Sequence, residues 1–177
     1  MNPSLPTALM LALTLGACSS PAPNGDQSRA DNVAEAESGN TALNEAEPTI
    51  GGDGSEIVLS SLSSADITKA KLRGELGCSF ASADGGTLLI AKGHVGSDDP
   101  AFGIVKVGDY VEQVATPGGY DHMIDGATFG GKGKTIRIAL TGPAIGSGES
   151  PPRPATLTYD RADGAQRGIA GQWTCGP

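Results

Sequence analysis

Alternation of apolar and polar residues is the clearest pattern in the chain, and it predicts β-strands. Between residues 135 and 140, three large apolar side chains share one face, and a threonine and an arginine share the other. The segments 155–159 and 169–175 alternate in the same way. The complete set of predicted strands is 75–81, 87–94, 101–107, 110–115, 134–140, 155–159 and 167–174.

Turn signals separate these strands. Asp84-Gly85-Gly86 and the segment 162–164 predict hairpin turns, and the Gly- and Pro-rich segment 142–154 predicts a long exposed loop. A short N-terminal helix fits before the first strand, with Ser63 or Ser64 as its N-cap. About seven short strands predict an all-β fold, either a small antiparallel barrel or a sandwich.

The first 17 residues follow a different pattern. They carry no charged side chain, and residues 8–15 form an apolar run that is too short to span a bilayer. The run ends in Leu15-Gly16-Ala17-Cys18, which resembles the lipobox of bacterial lipoproteins. The first seven residues depart from the usual pattern because they contain no Lys or Arg.

The lipobox resemblance implies an export signal and a membrane anchor. Residues 1–17 would be a cleaved signal peptide, and Cys18 would become the first mature residue and carry two or three acyl chains, such as palmitate. Several chains anchor a protein stably, whereas one does not. Ser19 and Ser20 favour the outer membrane, because lipoproteins retained at the inner membrane carry Asp after the cysteine. We therefore expect an extracytoplasmic protein on the periplasmic face of the outer membrane.

Composition divides the mature chain into a linker, residues 18–54, and a β-domain, residues 55–177. The linker is rich in small and polar residues, which predicts disorder. It holds seven of the acidic residues against one arginine, whereas the domain holds 13 acidic and 11 basic residues. The domain is therefore nearly neutral and lacks a basic stripe, so we predict no binding to nucleic acid.

The lipobox leaves two of the three cysteines, Cys78 and Cys175, for the domain. Both share the predicted core-facing side of their strands, and an oxidising compartment favours a disulfide between them over two free buried thiols. The bond would tie the first predicted strand to the last. Closing a loop of roughly 100 residues stabilises a fold by about 4–5 kcal/mol in the chain-entropy model.

Candidate chemical sites are weak. The segment 130–135, Gly-Gly-Lys-Gly-Lys-Thr, lacks the first glycine of a phosphate-binding loop and precedes a strand, so it predicts a hairpin. Asp121, His122 and Asp125 are the only candidates for a metal site, with His94 as a distant fourth. Their spacing does not match a zinc site. We predict neither a metal nor a cofactor, and no catalytic residue stands out.

These features favour a lipid-anchored envelope protein whose β-domain is a non-catalytic binding or interaction module, with another envelope protein as its partner. A contact through a sheet edge is a second hypothesis. The lipobox, size, predicted barrel and disulfide also resemble the membrane-bound lysozyme inhibitors, which implies inhibition of a lysozyme-like enzyme, although their S-G-x-x-Y loop is absent. The remaining alternative is an envelope hydrolase that uses two paired carboxylates.

Overall fold

The structure is a computed structural model that describes residues 46–177. The predicted signal peptide, the acylated Cys18 and the predicted linker up to residue 45 lie outside the described residues. Within the described part, no helix combines the length and the apolar character needed to cross a bilayer.

Nine strands and one α-helix make up the described fold. Their bounds are β1 (Leu59–Ser60), α1 (Ser64–Ala70), β2 (Leu76–Ser82), β3 (Thr87–Gly93), β4 (Ala101–Val107), β5 (Tyr110–Thr116), β6 (Thr128–Gly131), β7 (Lys134–Leu140), β8 (Arg153–Arg161) and β9 (Gln166–Gly176), with a 3₁₀ turn at Asp121–Met123.

Strands β2 to β9 form a closed eight-stranded antiparallel barrel. Each of these strands pairs with the next one along the chain, and β9 returns to pair with β2. The short β1 pairs with the last two residues of β4, beyond the final β3–β4 register pair, which joins Leu89 to Val105. The predicted all-β class is confirmed, and of the two predicted architectures the barrel is the one that forms.

The seven predicted strands are all present, with ends within two residues of the predicted ones. The pattern does not predict β1 or β6, because β1 has only two residues and β6 contains one large apolar residue and two glycines. The segment 130–135 forms the β6–β7 hairpin, as predicted. The loop predicted for 142–154 ends earlier, because Arg153 and Pro154 already pair with β9.

The helix α1 begins at the predicted N-cap. The Ser63 hydroxyl accepts a hydrogen bond from the Asp66 backbone N–H, and the Asp66 carboxylate accepts one from Ser63 in return. This reciprocal capping box satisfies two N–H groups that the helix itself cannot pair. Asp66 also pairs with Lys106 of β4 at 3.3 Å, which fastens α1 to the outer surface of the barrel.

The predicted disulfide is present between Cys78 of β2 and Cys175 of β9. The two residues are direct cross-strand partners with Cα atoms 4.0 Å apart, and 97 positions separate them in the sequence. The bond therefore joins the first and last strands of the barrel at the seam where the sheet closes.

Inward-facing side chains fill the barrel. The largest of them are at most 1 % exposed, and Phe129 and Trp173 meet edge to face with ring centroids 6.4 Å apart. An interior packed with side chains at this barrel size is a core rather than a ligand chamber. Contacts with other molecules must then involve the outer surface or the two ends.

The two ends of the barrel are built differently. Tight turns connect β2 to β3, β4 to β5, β6 to β7 and β8 to β9, and all four turns lie at one end, which we call the hairpin end. Longer connections, residues 94–100, 117–127 and 141–152, lie at the opposite end, which we call the loop end. Successive antiparallel strands require this arrangement.

Residues 46–58, which we call the strap, complete the hairpin end. Ile50 and Gln166 of β9 exchange two backbone hydrogen bonds of 2.8 and 2.9 Å, and the Glu47 N–H donates to Gly168 O. Ile57 is 2 % exposed and belongs to the core. The predicted boundary at residue 55 lies between strap residues that contact the barrel, since Glu47 and Ile50 pair with β9 and Ile57 lies in the core.

The 3₁₀ turn closes the loop end. Met123 is fully buried in the core, and its carbonyl accepts a hydrogen bond of 2.8 Å from the indole N–H of Trp173. This bond satisfies the one polar atom of a buried indole. The barrel is therefore filled along its length and covered at each end by a different part of the chain.

Candidate interaction surface

Backbone and side-chain hydrogen bonds join the first two loops of the loop end. The Gly119 N–H donates to Asp99 O at 2.7 Å, and the Gly96 N–H donates to the Asp121 carboxylate at 2.6 Å. Gly119 has a φ of 60°, and a Cβ at this position would lie 2.4 Å from Ser97 O. A glycine is thus required where residues 94–100 and 117–127 meet.

The third loop lies against the second. Arg153, at the start of β8, donates a hydrogen bond of 2.7 Å to Asp125. Between residues 117–127 and 141–152 lies a pocket of about 290 Å³. Tyr120 and Trp173 contribute aromatic atoms to it, and Ile124, Glu149, Pro151 and Arg153 also line it. The three loops consequently form one continuous surface.

Charge distinguishes this surface from the rest of the protein. The three loops contain five carboxylates and no Lys or Arg, and all five carboxylates are on exposed residues: Asp98, Asp99, Asp121, Asp125 and Glu149. Each loop also exposes one large apolar residue, and Val95, Ile124 and Ile145 are 49, 39 and 51 % exposed. The loop end therefore combines apolar contact area with negative potential.

Two acids of the hairpin end share one arginine within the fold. One Arg161 nitrogen, Nη2, lies 2.8 Å from Asp53 of the strap and 2.6 Å from Asp163. The hydrogen bond from Arg161 holds the pKa of Asp163 well below its usual range. Hydrogen bonds from Ser55, together with the positive charge of Arg161, lower the pKa of Asp53.

Asp53 and Asp163 are the nearest match to the predicted carboxylate pair, because both contact one guanidinium nitrogen. Both are exposed, and their pKa values are lowered. Carboxylate-based glycoside cleavage needs one acid whose pKa is raised, so that it can donate a proton. The electrostatics of this pair oppose that role and instead favour attachment of the strap.

A second ion pair lies inside the barrel near the hairpin end. The Lys134 ammonium contacts the Glu112 carboxylate, and the Lys134 side chain is only 7 % exposed. Tyr159, on β8, is nearby and 3 % exposed. Burial, and then the negative charge of Glu112, raises the pKa of Tyr159 to about 12. The pair links β5 to β7, where β6 contributes only two register partners to β5.

The metal candidates from the sequence have other partners. His122 Nδ1 lies 2.7 Å from Gly118 O, Asp121 accepts from Gly96, and Asp125 pairs with Arg153. Among residues 46–177, no three His, Cys, Asp or Glu side chains are grouped as metal ligands would be. His94 contributes its backbone carbonyl to Tyr120 N–H at 3.0 Å.

A second concave surface lies between α1 and the β4–β5 hairpin. This groove has a volume of about 480 Å³ and is lined by Ala70, Ile104 and Val111, with Asp66 and Lys69 among its charged residues. Ile104 points away from the barrel interior yet is 1 % exposed. The charges of this groove are of both signs, so it has less electrostatic character than the loop end.

From the sequence, the residues of the loop end are recognisable only as loops and not as one surface. The domain-wide charge count is nearly neutral because the bases lie outside these three loops, on the strands, in a hairpin turn, on α1 and in the α1–β2 connection, and averaging conceals the acidic loops. The surface becomes visible when Lys and Arg are counted separately for each connection.

Comparison with known proteins gives no match: no family model fits the chain, and no curated protein and no solved structure is detectably similar to it.

Proposed function

We propose that this chain is a lipid-anchored protein of the bacterial envelope, attached through Cys18 to the periplasmic face of the outer membrane. Its barrel acts as a non-catalytic binding module, and the loop end is the surface that contacts a partner protein. The lipobox supports the anchor, and the difference between the two barrel ends supports the choice of surface.

The observation that carries this proposal is the difference in charge between the connections at the two ends. The strap occupies the hairpin end, where its acids pair with Arg161 and with Arg167. The loop end presents five carboxylates without a Lys or Arg in the same loops, together with three exposed apolar side chains. Protein interfaces combine apolar contacts with a charged rim that selects the partner.

Two measurements test the proposal separately. Replacing Cys18 with Ser should move the protein from the membrane fraction to the soluble fraction. A Cys18→Ser protein that stays in the membrane fraction overturns the anchor.

The surface is tested in cells that make the intact chain. A photo-reactive amino acid at Val95 or Ile145 should give one cross-linked partner band, and the same residue at Ala139, exposed on β7, should give none. Equal cross-linking at all three positions overturns the choice of the loop end.

Inhibition of a lysozyme-like enzyme is a second candidate, because the acidic loops favour a cationic target. Lysis of bacterial cell walls by a lysozyme should slow when the intact protein is added. Removing the charges of Asp98, Asp99 and Glu149 should then restore lysis. Unchanged lysis at a large excess of the protein rejects this candidate and leaves the binding module in place.

A further inference from the structure

The pocket between the second and third loops has a size and lining that suit a single long side chain. Its volume of about 290 Å³ lies at the lower limit for small-molecule sites. Ile124 and Pro151 provide aliphatic walls, and Tyr120, which is 9 % exposed, contributes an aromatic wall. Such walls suit the methylene groups of a long side chain rather than a polar cofactor.

The charges around the pocket select the sign of that side chain. Glu149 lines the pocket, and the loops on both sides of it contain no Lys or Arg. Arg153 is the one base in the lining, and its Nη1 atom is held by Asp125 at 2.7 Å. With Arg153 paired in this way, the Glu149 carboxylate determines the net charge at the pocket.

We propose that this pocket receives a lysine or arginine side chain of a cationic partner protein. The methylene groups of the incoming side chain pack against Ile124 and Pro151, and its charged end meets the Glu149 carboxylate beside the Tyr120 ring. A cation next to a carboxylate and an aromatic face gains from both contacts. The inference rests on the proposed function, because it specifies the chemistry of the partner at the same surface.

The chain contains its own reporter for the test. Trp173 is the only tryptophan, it lines the pocket, and its indole N–H is bonded to Met123 O in the second loop. Occupation of the pocket should therefore change the fluorescence of the protein without any added label. Hexalysine and hexaarginine serve as cationic probes, and hexaglutamate serves as the anionic control.

The experiment titrates the intact, lipidated protein in detergent micelles with each peptide. We expect saturable binding of the cationic peptides and none of hexaglutamate. Glu149→Gln should weaken binding by about fivefold or more, the factor that corresponds to about 1 kcal/mol. The matched control is Asp109→Asn, which removes the same charge from the β4–β5 turn at the opposite end, outside the pocket, and should change the affinity less than twofold.

Three results would overturn the inference: equal weakening by Glu149→Gln and Asp109→Asn, tighter binding of hexaglutamate through Arg153, or no binding of any peptide. Ile124→Ser gives an independent check, since it shortens the aliphatic wall and should also weaken binding. Cross-linking at Val95 and Ile145 distinguishes the two proposals. If it persists while the peptides fail to bind, the pocket is wrong and the interaction surface remains.

Discussion

The hairpin end and the loop end cover the same barrel by opposite means. At the hairpin end, two acids of the strap, Asp53 and Glu56, pair with arginines, and the strap supplies Ile57 to the core. At the loop end, Met123 seals the core, and the five acids of the loops are exposed, with only Asp125 paired to an arginine. The comparison teaches that the hairpin end is built for attachment and stability, and it is the basis for the proposed contact surface at the loop end.

The largest expected effect comes from the bond that closes the barrel. Replacing Cys78 and Cys175 with Ala should lower the free energy of unfolding by about 4–5 kcal/mol, because the unfolded chain is no longer constrained. Urea titration of the double variant against the oxidised protein measures the loss. A change below about 1 kcal/mol would mean that packing alone holds the two ends of the sheet together.

Truncation of the two buried side chains that seal the ends should come next. Met123→Ala and Ile57→Ala should each cost about 3 kcal/mol, since each leaves a cavity in the core. Ile145→Ala is the matched control at the loop end, and its cost should stay below about 0.5 kcal/mol because Ile145 is 51 % exposed. If Met123→Ala resembles this control in urea titrations, the loop end is not sealed as described.

Lowering the pH should weaken the ionic contacts that stabilise the hairpin end. The pKa of Asp163 is lower in the folded protein than in the unfolded chain, where it is about 3.9. Its contribution to stability is therefore complete above that value and is lost as the pH falls through the folded pKa. Asp163→Asn should flatten the fall in unfolding free energy between about pH 5 and pH 2.

The control for this pH dependence is Asp109→Asn, in the β4–β5 turn at the same end. It changes the same charge outside the Arg161 contacts, so its pH profile should follow that of the unmodified protein. Identical profiles for Asp163→Asn and the unmodified protein would show that the Arg161 contacts do not fasten the strap.

The smallest expected effect on stability is at the loop end, and it gives the most direct test of the difference between the two ends. Asp98→Asn and Glu149→Gln should change the free energy of unfolding by less than about 0.5 kcal/mol, as exposed substitutions usually do. Glu149→Gln is also the variant expected to weaken peptide binding. Destabilisation by more than about 1 kcal/mol would give these acids a structural role instead.

Sequence patterns predict the strands in which buried and exposed side chains alternate. Alternation locates β7 correctly to the residue, because one of its faces lies on the core and the other on the solvent. The pairing of Cys78 with Cys175 follows from the same sorting. The helix start is equally local: the sequence predicts Ser63 or Ser64 as the N-cap, and the capping box with Asp66 identifies Ser63.

The strap and the loop end were beyond these patterns for different reasons. Residues 47–54 are held mainly by backbone hydrogen bonds to β9 and by Asp53, so their composition resembles that of a linker. The loop end depends on which connections the barrel brings to the same side. That grouping follows from the order of the strands in the barrel. It is not visible in the sequence, where residues 94–100 and 141–152 are far apart.

The covalent link between β2 and β9 also determines what a protease can do to this molecule. All three loops of the loop end lie between Cys78 and Cys175, and exposed loops are the usual sites of proteolytic cutting. A cut in any of them leaves two fragments joined by the disulfide. A cut molecule would therefore stay covalently joined, and its C-terminal fragment would be released only after the disulfide is reduced.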